Sequence, residues 1–359
     1  MKRFVAGLIA AILLVSCVAF LDGGNSGMRT DGLYYKASKI HPDATIMTVD
    51  GEKISAEEYL YWLAYDCEYL TNMAGQIDWN EVVTGDDITY ADFVKDEVTD
   101  TMKTYAVLRK MAKEGNVTIT DEDTAALDAQ RQQYIDYYGG EEGYLQQVQL
   151  LGISEETFDT INSMYYLYAR VEEAFESGAL RPSDEALQSY AADKGMATAR
   201  LLTIPTADLD DKEIEQRREL AQSYADKLKA ADNKDELYAK FAAELGLEVS
   251  EKGDMLMRSD SFDEALLDAV DALDEGGVSD AIQGRNCFYV AIRMPLDLVG
   301  VAESMFVQRM DDAIANAEVK YNKSVYNKVD VGQFFTDLLQ ARQELADSFP
   351  ATSDTNGAD

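Results

Sequence analysis

The order of elements between residues 196 and 294 constrains the fold of this chain most strongly. An apolar run at 197–204 has the length of a strand. A long segment with apolar residues at helical spacing follows, and a Lys-Gly-Asp turn at 252–254 comes after it. A shorter helix over 263–273 and a second apolar strand over 287–293 complete the stretch. This order predicts a small α/β unit in which the strands pair and the helices cover them.

Length, charge and the supply of reactive side chains exclude several classes of protein. With 359 residues, 47% of them hydrophobic, the chain is long enough for two folded domains. A net charge of −35 argues against binding to nucleic acid and indicates a well-solvated acidic surface. One histidine, His41, and three cysteines without metal-ligand spacing predict neither a zinc site nor a Ser-His-Asp triad, and no cofactor is expected. Cys67 and Cys287 are interpreted as small buried residues, with a disulfide between them as the alternative.

The N-terminus has the pattern of a secretory signal. Two basic residues precede an apolar run over 4–15, and the sequence Leu-Val-Ser before Cys17 resembles a bacterial lipobox. In that motif the chain is cleaved before the cysteine, and a lipid is attached to its sulfur. We therefore predict a signal peptide within 1–21 and lipidation of Cys17, with an uncleaved membrane anchor over 4–21 as the alternative. Both interpretations place the folded body outside the cytoplasm, anchored to the outer face of the cell membrane.

A helical region is expected between the leader and the α/β block. Residues 22–45 are rich in glycine and polar residues and predict a flexible tether. An extended segment over 48–54 contains an Asp-Gly turn, and Ser55 with Glu58 forms a capping-box pattern at the start of an aromatic helix. A second amphipathic helix is predicted over 90–113, and further Ser/Thr-acidic caps precede the helices after it.

The C-terminal part of the chain completes the helical pattern. Amphipathic helices are predicted over 303–320 and 332–349, and the polar tail 350–359 is predicted to be disordered.

Tyrosine is unusually frequent before the α/β block, at Tyr134, Tyr137, Tyr138, Tyr144, Tyr165, Tyr166 and Tyr168. Such side chains can line a groove for unfolded chain, although packing between helices is the preferred interpretation of each one taken singly.

The α/β block resembles the parvulin family of peptidyl-prolyl isomerases. The similarity lies in the Lys-Gly-Asp turn, the Glu-Gly-Gly-Val-Ser segment at 275–279 and the Phe-Tyr of the last strand. The surrounding helices resemble secreted foldases of the SurA and PrsA kind. The resemblance implies a mostly helical α+β fold, with a discontinuous chaperone domain over 46–195 and 296–349. A parvulin-like α/β domain over 196–295 would be inserted into it.

The same resemblance indicates candidate site residues. Rotation about a prolyl bond needs no nucleophile and no metal, because the barrier arises from amide resonance. Arg200 and Tyr289 stand where the family has its two histidines, and Asp254 matches the aspartate of its turn. These three are the catalytic candidates. The substrate-binding candidates are Met255, Phe262, Leu266 and Phe288. Asp271 occupies a further phenylalanine position of the family, which predicts a carboxylate near the proline pocket.

These observations predict an extracytoplasmic folding factor that binds unfolded exported polypeptides, with weak or no isomerase activity. An active prolyl isomerase with substituted site residues is the first alternative. A structural or solute-binding lipoprotein is the second, although the sequence lacks the repeated strand-helix alternation that solute-binding lobes require.

Overall fold

The computed structural model describes residues 29–83, 87–258 and 262–349. The chain divides into two compact units, each described separately below. The helical unit contains the chain up to Ala174 and from Arg309 onward, and the sheet unit contains Phe175–Gln308. Cys17, the predicted leader and the predicted tail 350–359 lie outside the described residues.

The N-terminal part of the helical unit comprises seven complete helices and strands and most of the helix α6. They are α1 (Gly32–Ser38), β1 (Thr45–Val49), β2 (Glu52–Ser55), α2 (Ala56–Ala74), α3 (Tyr90–Gly115), α4 (Asp121–Tyr137), α5 (Glu141–Leu151) and α6 (Glu155–Glu176).

The chain then forms the sheet unit and returns. The sheet unit comprises α7 (Asp184–Lys194), β3 (Met196–Pro205), α8 (Asp211–Ala230), α9 (Lys234–Leu245), β4 (Asp254–Met257), α10 (Glu264–Asp271), β5 (Ile282–Gln283), β6 (Cys287–Arg293) and the first part of α11 (Leu298–Asn316). The return to the helical unit adds β7 (Val319–Tyr321), α12 (Lys323–Tyr326) and α13 (Val331–Ser348). The predicted mostly helical α+β class is confirmed.

A β-hairpin opens the helical unit where the sequence has its Asp-Gly turn. Asp50 and Gly51 both have positive φ, 50° and 87°, which is the geometry of a two-residue hairpin turn. Ser55 caps α2 by accepting a hydrogen bond from the backbone N–H of Glu58 at 3.1 Å, as predicted. The side chain of Glu58 instead accepts from Arg109 at 3.1 Å, so it binds α3 rather than completing a capping box.

Two segments of the helical unit differ from the sequence-based expectation. Part of the predicted tether is structured, because α1 buries Leu33 and Tyr34 and packs against α13. The end of the helix predicted over 303–320 is a strand, β7, which pairs antiparallel with β1. There Val319 lies opposite Val49, so a strand partner distant in the sequence outweighs local helical spacing.

The sheet unit is built on an antiparallel sheet in the order β4-β3-β6-β5. Its two long strands, β3 and β6, pair over seven positions from Ala199–Arg293 to Pro205–Cys287. Side chains alternate between the two faces. One face packs on α8 and α9, and the other packs on α10. The single long helical segment expected between β3 and β4 is two helices, since α8 ends at Ala230 and α9 begins at Lys234.

Among the described residues, no helix combines the length and the apolar character needed to cross a lipid bilayer.

Candidate functional site

Arg200 lies on the α8/α9 face of the sheet unit. It stands opposite Ile292 in the β3–β6 register, and it is largely buried. Its Nη1 donates to Asp235 Oδ1 at 2.5 Å, and its Nε donates to the carbonyl oxygen of Glu251 at 3.2 Å. The guanidinium also lies 5.6 Å from the ring centroid of Tyr238. These contacts hold β3 to α9 and to the turn before β4, so Arg200 connects elements of the core.

Tyr289 lies on the opposite face, beneath α10. Its hydroxyl donates to Asp263 Oδ2 at 3.1 Å, and the backbone N–H of Arg285 donates to the same oxygen at 3.3 Å. Burial raises the pKa of Tyr289 well above its ordinary value, and the neighbouring Cys287 and Asp263 side chains raise this pKa further. The Tyr289 hydroxyl is therefore protonated near pH 7 and serves as a hydrogen-bond donor to Asp263.

The backbone at Gly284 closes over this cluster. A Cβ atom at Gly284 would come within 2.6 Å of Tyr289 Cε2, 2.5 Å of Asp263 Oδ2 and 3.1 Å of Cys287 Sγ. A larger residue at position 284 would therefore force these side chains to shift, because the separations are shorter than van der Waals contact. The backbone at Gly284 thus lies against one edge of the Tyr289 ring, and Asp263 binds its hydroxyl.

The four predicted substrate-binding residues divide between the two faces. Leu266 lies on α10 and is fully buried in the core between this helix and the sheet, and Phe262 packs against the same core. Phe288 belongs to the core on the α8/α9 side. Met255 pairs with Thr198 and is the neighbour of Leu256, which faces α10. Because side chains alternate along a strand, Met255 points away from α10, as Phe288 does. These four residues do not line one cleft.

The two acidic candidates of this unit lie near its surface. Asp254 is exposed at the start of β4, opposite Ala199. Asp271 accepts from Arg258 at 2.8 Å and lies 3.7 Å from Arg293. Its carboxylate is therefore held in a surface ion pair and does not enter an apolar pocket. Within the described ranges, no three His, Cys, Asp or Glu side chains are grouped so as to hold a metal ion.

An open apolar cavity lies instead in the helical unit. Its volume is about 210 Å³. It is lined by Glu68, Tyr134, Tyr138, Tyr144, Gln147, Val148, Leu150, Leu151 and Arg342, and we call it the tyrosine pocket. The turn that joins α4 to α5 makes this arrangement possible, because Gly139 and Gly140 both adopt positive φ, 79° and 124°. Three of the seven tyrosines noted in the sequence thus meet at one place.

The tyrosines of this region differ in exposure. Tyr144 is 1% exposed and forms part of a small core with Val148. Tyr138 is 39% exposed, and the neighbouring Tyr137 is 79% exposed. Their rings lie edge to face, with centroids 5.0 Å apart. Sequence reasoning expected each tyrosine to pack between helices, which holds for Tyr144 and not for Tyr137.

Charged groups flank the tyrosine pocket in pairs. Arg342 of α13 forms an ion pair with Glu68 of α2. Arg131 of α4 donates to Glu141 at 2.8 Å, and its guanidinium lies 5.7 Å from the centroid of the Tyr144 ring. A cation outside the pocket therefore already lies over the ring of one lining tyrosine, Tyr144.

Two larger cavities of the helical unit have more charged walls. One, of about 780 Å³, contains Arg29, Lys36, Glu57 and Glu344. In it the buried Glu57 carboxylate accepts from Arg29 at 2.7 Å and also from Ser154. The other, of about 500 Å³, is lined by polar residues around Trp79 and Lys95. The tyrosine pocket suits an apolar side chain better, since its tyrosine, valine and leucine side chains outnumber its charged ones.

Comparison with known proteins gives matches among solved structures. No family model matches the chain, and no curated protein sequence matches it. The chain is similar to the foldase PrsA of Lactococcus lactis, with 14% identity over 82% of this chain and 99% of that one and a TM-score of 0.29. PrsA from Bacillus subtilis has 15% identity over 77% and 96% of the two chains, with a TM-score of 0.25.

A SurA-like chaperone of Campylobacter jejuni is also similar, with 12% identity over 77% of this chain and 98% of that one and a TM-score of 0.21. These are PrsA and SurA-like proteins, the class that the sequence resembles.

Proposed function

We propose that this protein is an extracytoplasmic folding factor that binds unfolded exported polypeptides and does not catalyse prolyl isomerisation efficiently. The observation that supports the binding role is the tyrosine pocket, an open apolar cavity beside the exposed ring of Tyr137. An unfolded client presents apolar side chains that a folded protein buries. The pocket accepts one such side chain at a time.

The size of the pocket predicts weak and reversible binding. Burying one leucine- or phenylalanine-sized side chain contributes about 1.5–3 kcal/mol. That free energy corresponds to roughly a 10- to 150-fold gain in affinity. Several apolar side chains of one client can visit the pocket in turn, so a client is held briefly and released to fold.

The α10 face of the sheet unit supports the absence of efficient isomerisation. A prolyl isomerase needs an open apolar space for the proline ring, next to polar groups that favour the twisted amide. Here Asp263 binds the Tyr289 hydroxyl, and the backbone at Gly284 lies against the edge of the Tyr289 ring. Arg200, the other candidate, lies on the opposite face of the sheet. In this proposal the parvulin-like domain, 196–295, is a scaffold.

The proposal includes a location. The lipobox-like sequence before Cys17 supports a lipid anchor on the outer face of the cell membrane, where exported chains emerge unfolded. The chaperone domain would comprise 46–195 and 296–349. Its partners are unfolded exported proteins and, through the anchor, the membrane itself.

Aggregation suppression tests the binding role. The soluble body, residues 22–359, is mixed with a chemically unfolded client, and light scattering is followed on dilution. Tyr138→Ala removes an exposed wall of the tyrosine pocket and is expected to weaken suppression several-fold. Tyr165→Ala is the matched control, because Tyr165 is 42% exposed, close to the 39% of Tyr138, and does not line the pocket.

The two variants separate the outcomes. Loss of suppression in Tyr138→Ala, with wild-type suppression in Tyr165→Ala and equal melting temperatures, supports the pocket as the client site. Equal suppression by wild type and Tyr138→Ala would show that clients bind elsewhere. No suppression by the wild-type protein would remove the proposed function altogether.

A further inference from the structure

The acidic charge of the helical unit is concentrated on the helices that carry the tyrosines. Residues 121–174, which span α4, α5 and most of α6, contain 12 acidic residues, two arginines and no lysine, together with seven tyrosines. Helix α3 of the same unit, Tyr90–Gly115, contains five acidic and five basic residues. The acidic charge is therefore not uniform over the unit, and α4 and α5, which line the tyrosine pocket, carry seven of the 12 acidic residues of this segment.

Both arginines of this segment are already paired with carboxylates. Arg131 is bonded to Glu141. Arg170 lies 3.0 Å from Asp123 and 2.6 Å from Glu173. The cations of the segment therefore neutralise only part of its acidic charge. Among its remaining carboxylates, Asp128, Asp136 and Glu142 lie on α4 and α5, and all three residues are exposed.

We infer that the tyrosine pocket selects client segments in which a bulky apolar side chain is flanked by lysine or arginine. This inference rests on the proposed function and specifies its substrate class. The apolar side chain enters the cavity, and the flanking cations lie near the carboxylates of α4 and α5 or over exposed tyrosine faces. Within the protein itself, the Arg131 guanidinium lies 5.7 Å from the ring centroid of the buried Tyr144, so this region already contains one contact between a cation and a tyrosine ring.

The expected preference is moderate and depends on salt. Exposed charge pairs each contribute little, so three or four together give about a tenfold preference for a cationic over an anionic client at low ionic strength. The preference falls toward about twofold at 0.5 M NaCl, because the Debye length shortens to a few ångströms. The apolar contribution does not decrease with added salt.

Three labelled peptides measure the preference directly. Each is short and unstructured, with one central phenylalanine and flanks of lysine, serine or glutamate. Fluorescence anisotropy with the soluble body gives the three dissociation constants at about 0.02 M and about 0.5 M NaCl. The expected order at low salt is lysine tighter than serine, and serine tighter than glutamate, converging at high salt.

Charge variants show whether the effect is local. Asp128→Asn, Asp136→Asn and Glu142→Gln are combined in one protein. The matched control combines Glu219→Gln, Glu248→Gln and Glu275→Gln, which removes the same charge from exposed positions of the sheet unit. The first variant is expected to lose most of the lysine preference with little change for the serine peptide. The control is expected to keep the preference within about twofold of wild type.

Failure of this inference is distinguishable from failure of the proposed function. If the three peptides bind with equal affinity and their binding is weakened by Tyr138→Ala, the charge preference is overturned and the pocket remains the client site. Equal losses in the two charge variants would assign the preference to overall net charge and also overturn it. Binding of no peptide, or binding unaffected by Tyr138→Ala, would overturn the tyrosine pocket as the client site and this inference with it. The proposed function itself fails only if the wild-type protein does not suppress aggregation.

Discussion

Replacing Asp66 by asparagine is predicted to stabilise the protein at neutral and alkaline pH while leaving its stability in acid unchanged. Asp66 lies on α2, where burial raises the pKa of its carboxyl from 3.8 to about 7. Glu97 on α3 adds to this shift because it brings a second negative charge close by. The folded protein therefore favours the protonated form of Asp66.

The sign and size of this pH-dependent change in stability follow from proton linkage. Because the folded-state pKa is raised, the folded protein binds more protons than the unfolded chain between the two pKa values. The stability that protonated Asp66 contributes is fully present below the unfolded pKa of 3.8. It is lost as the pH rises through the folded-state pKa of about 7. At about 1.4 kcal/mol per pKa unit, the difference amounts to roughly 4 kcal/mol, and relaxation around the charge reduces the expected effect to about 2–4 kcal/mol.

Urea unfolding of the soluble body at a series of pH values measures this effect. Asp66→Asn is expected to exceed wild type by about 2–4 kcal/mol near pH 8, with the difference vanishing near pH 4. Glu97→Gln is expected to reproduce part of the gain, since it removes the neighbouring charge. Asp128→Asn is the control at an exposed position. A difference for Asp66→Asn that stays constant with pH, or grows toward acid, would refute the reasoning.

Three further predictions concern the sheet unit and the thiols. Arg200→Met is expected to lower the free energy of unfolding by about 2 kcal/mol, because it removes hydrogen bonds to Asp235 and to the β4 turn, and urea unfolding measures this. Gly253→Ala is expected to cost at least about 2 kcal/mol, which thermal unfolding measures, because φ is +87° and a Cβ would lie 3.0 Å from the β3 backbone. A thiol reagent is expected to modify Cys287, which is partly exposed, at least tenfold faster than the fully buried Cys67, whose thiol pKa is raised by burial; equal rates would contradict this burial pattern.

Much of the sheet unit was predictable from residue periodicity. The last strand was predicted over 287–293 and has those bounds, because it alternates apolar residues between two covered faces. One feature of the site was also available from the sequence. Phe288 and Tyr289 are consecutive residues of one strand, so their side chains must point to opposite faces and cannot line one pocket. The position of Arg200 required the β3–β6 register, which is set by tertiary pairing.

The misassigned segments of the helical unit depended on distant partners. Residues 22–45 have the average composition of a tether, and that average conceals Leu33, Tyr34 and Ile40, which are buried in the structure. Strand β7 forms because β1 offers it an edge. The tyrosine pocket likewise combines α4 and α5 with Glu68 and Arg342, which are far away in the sequence. No local pattern specifies such a meeting of helices.

The central claim is that this protein holds unfolded chains without efficiently isomerising their prolyl bonds. A prolyl cis/trans assay on the soluble body, run beside the aggregation assay on the same preparation, tests it most directly. We predict isomerisation at the uncatalysed rate together with suppression of aggregation that depends on Tyr138. Isomerisation well above the uncatalysed rate, and lost in Tyr289→Phe or Phe262→Ala, would contradict the claim and make the protein an enzyme.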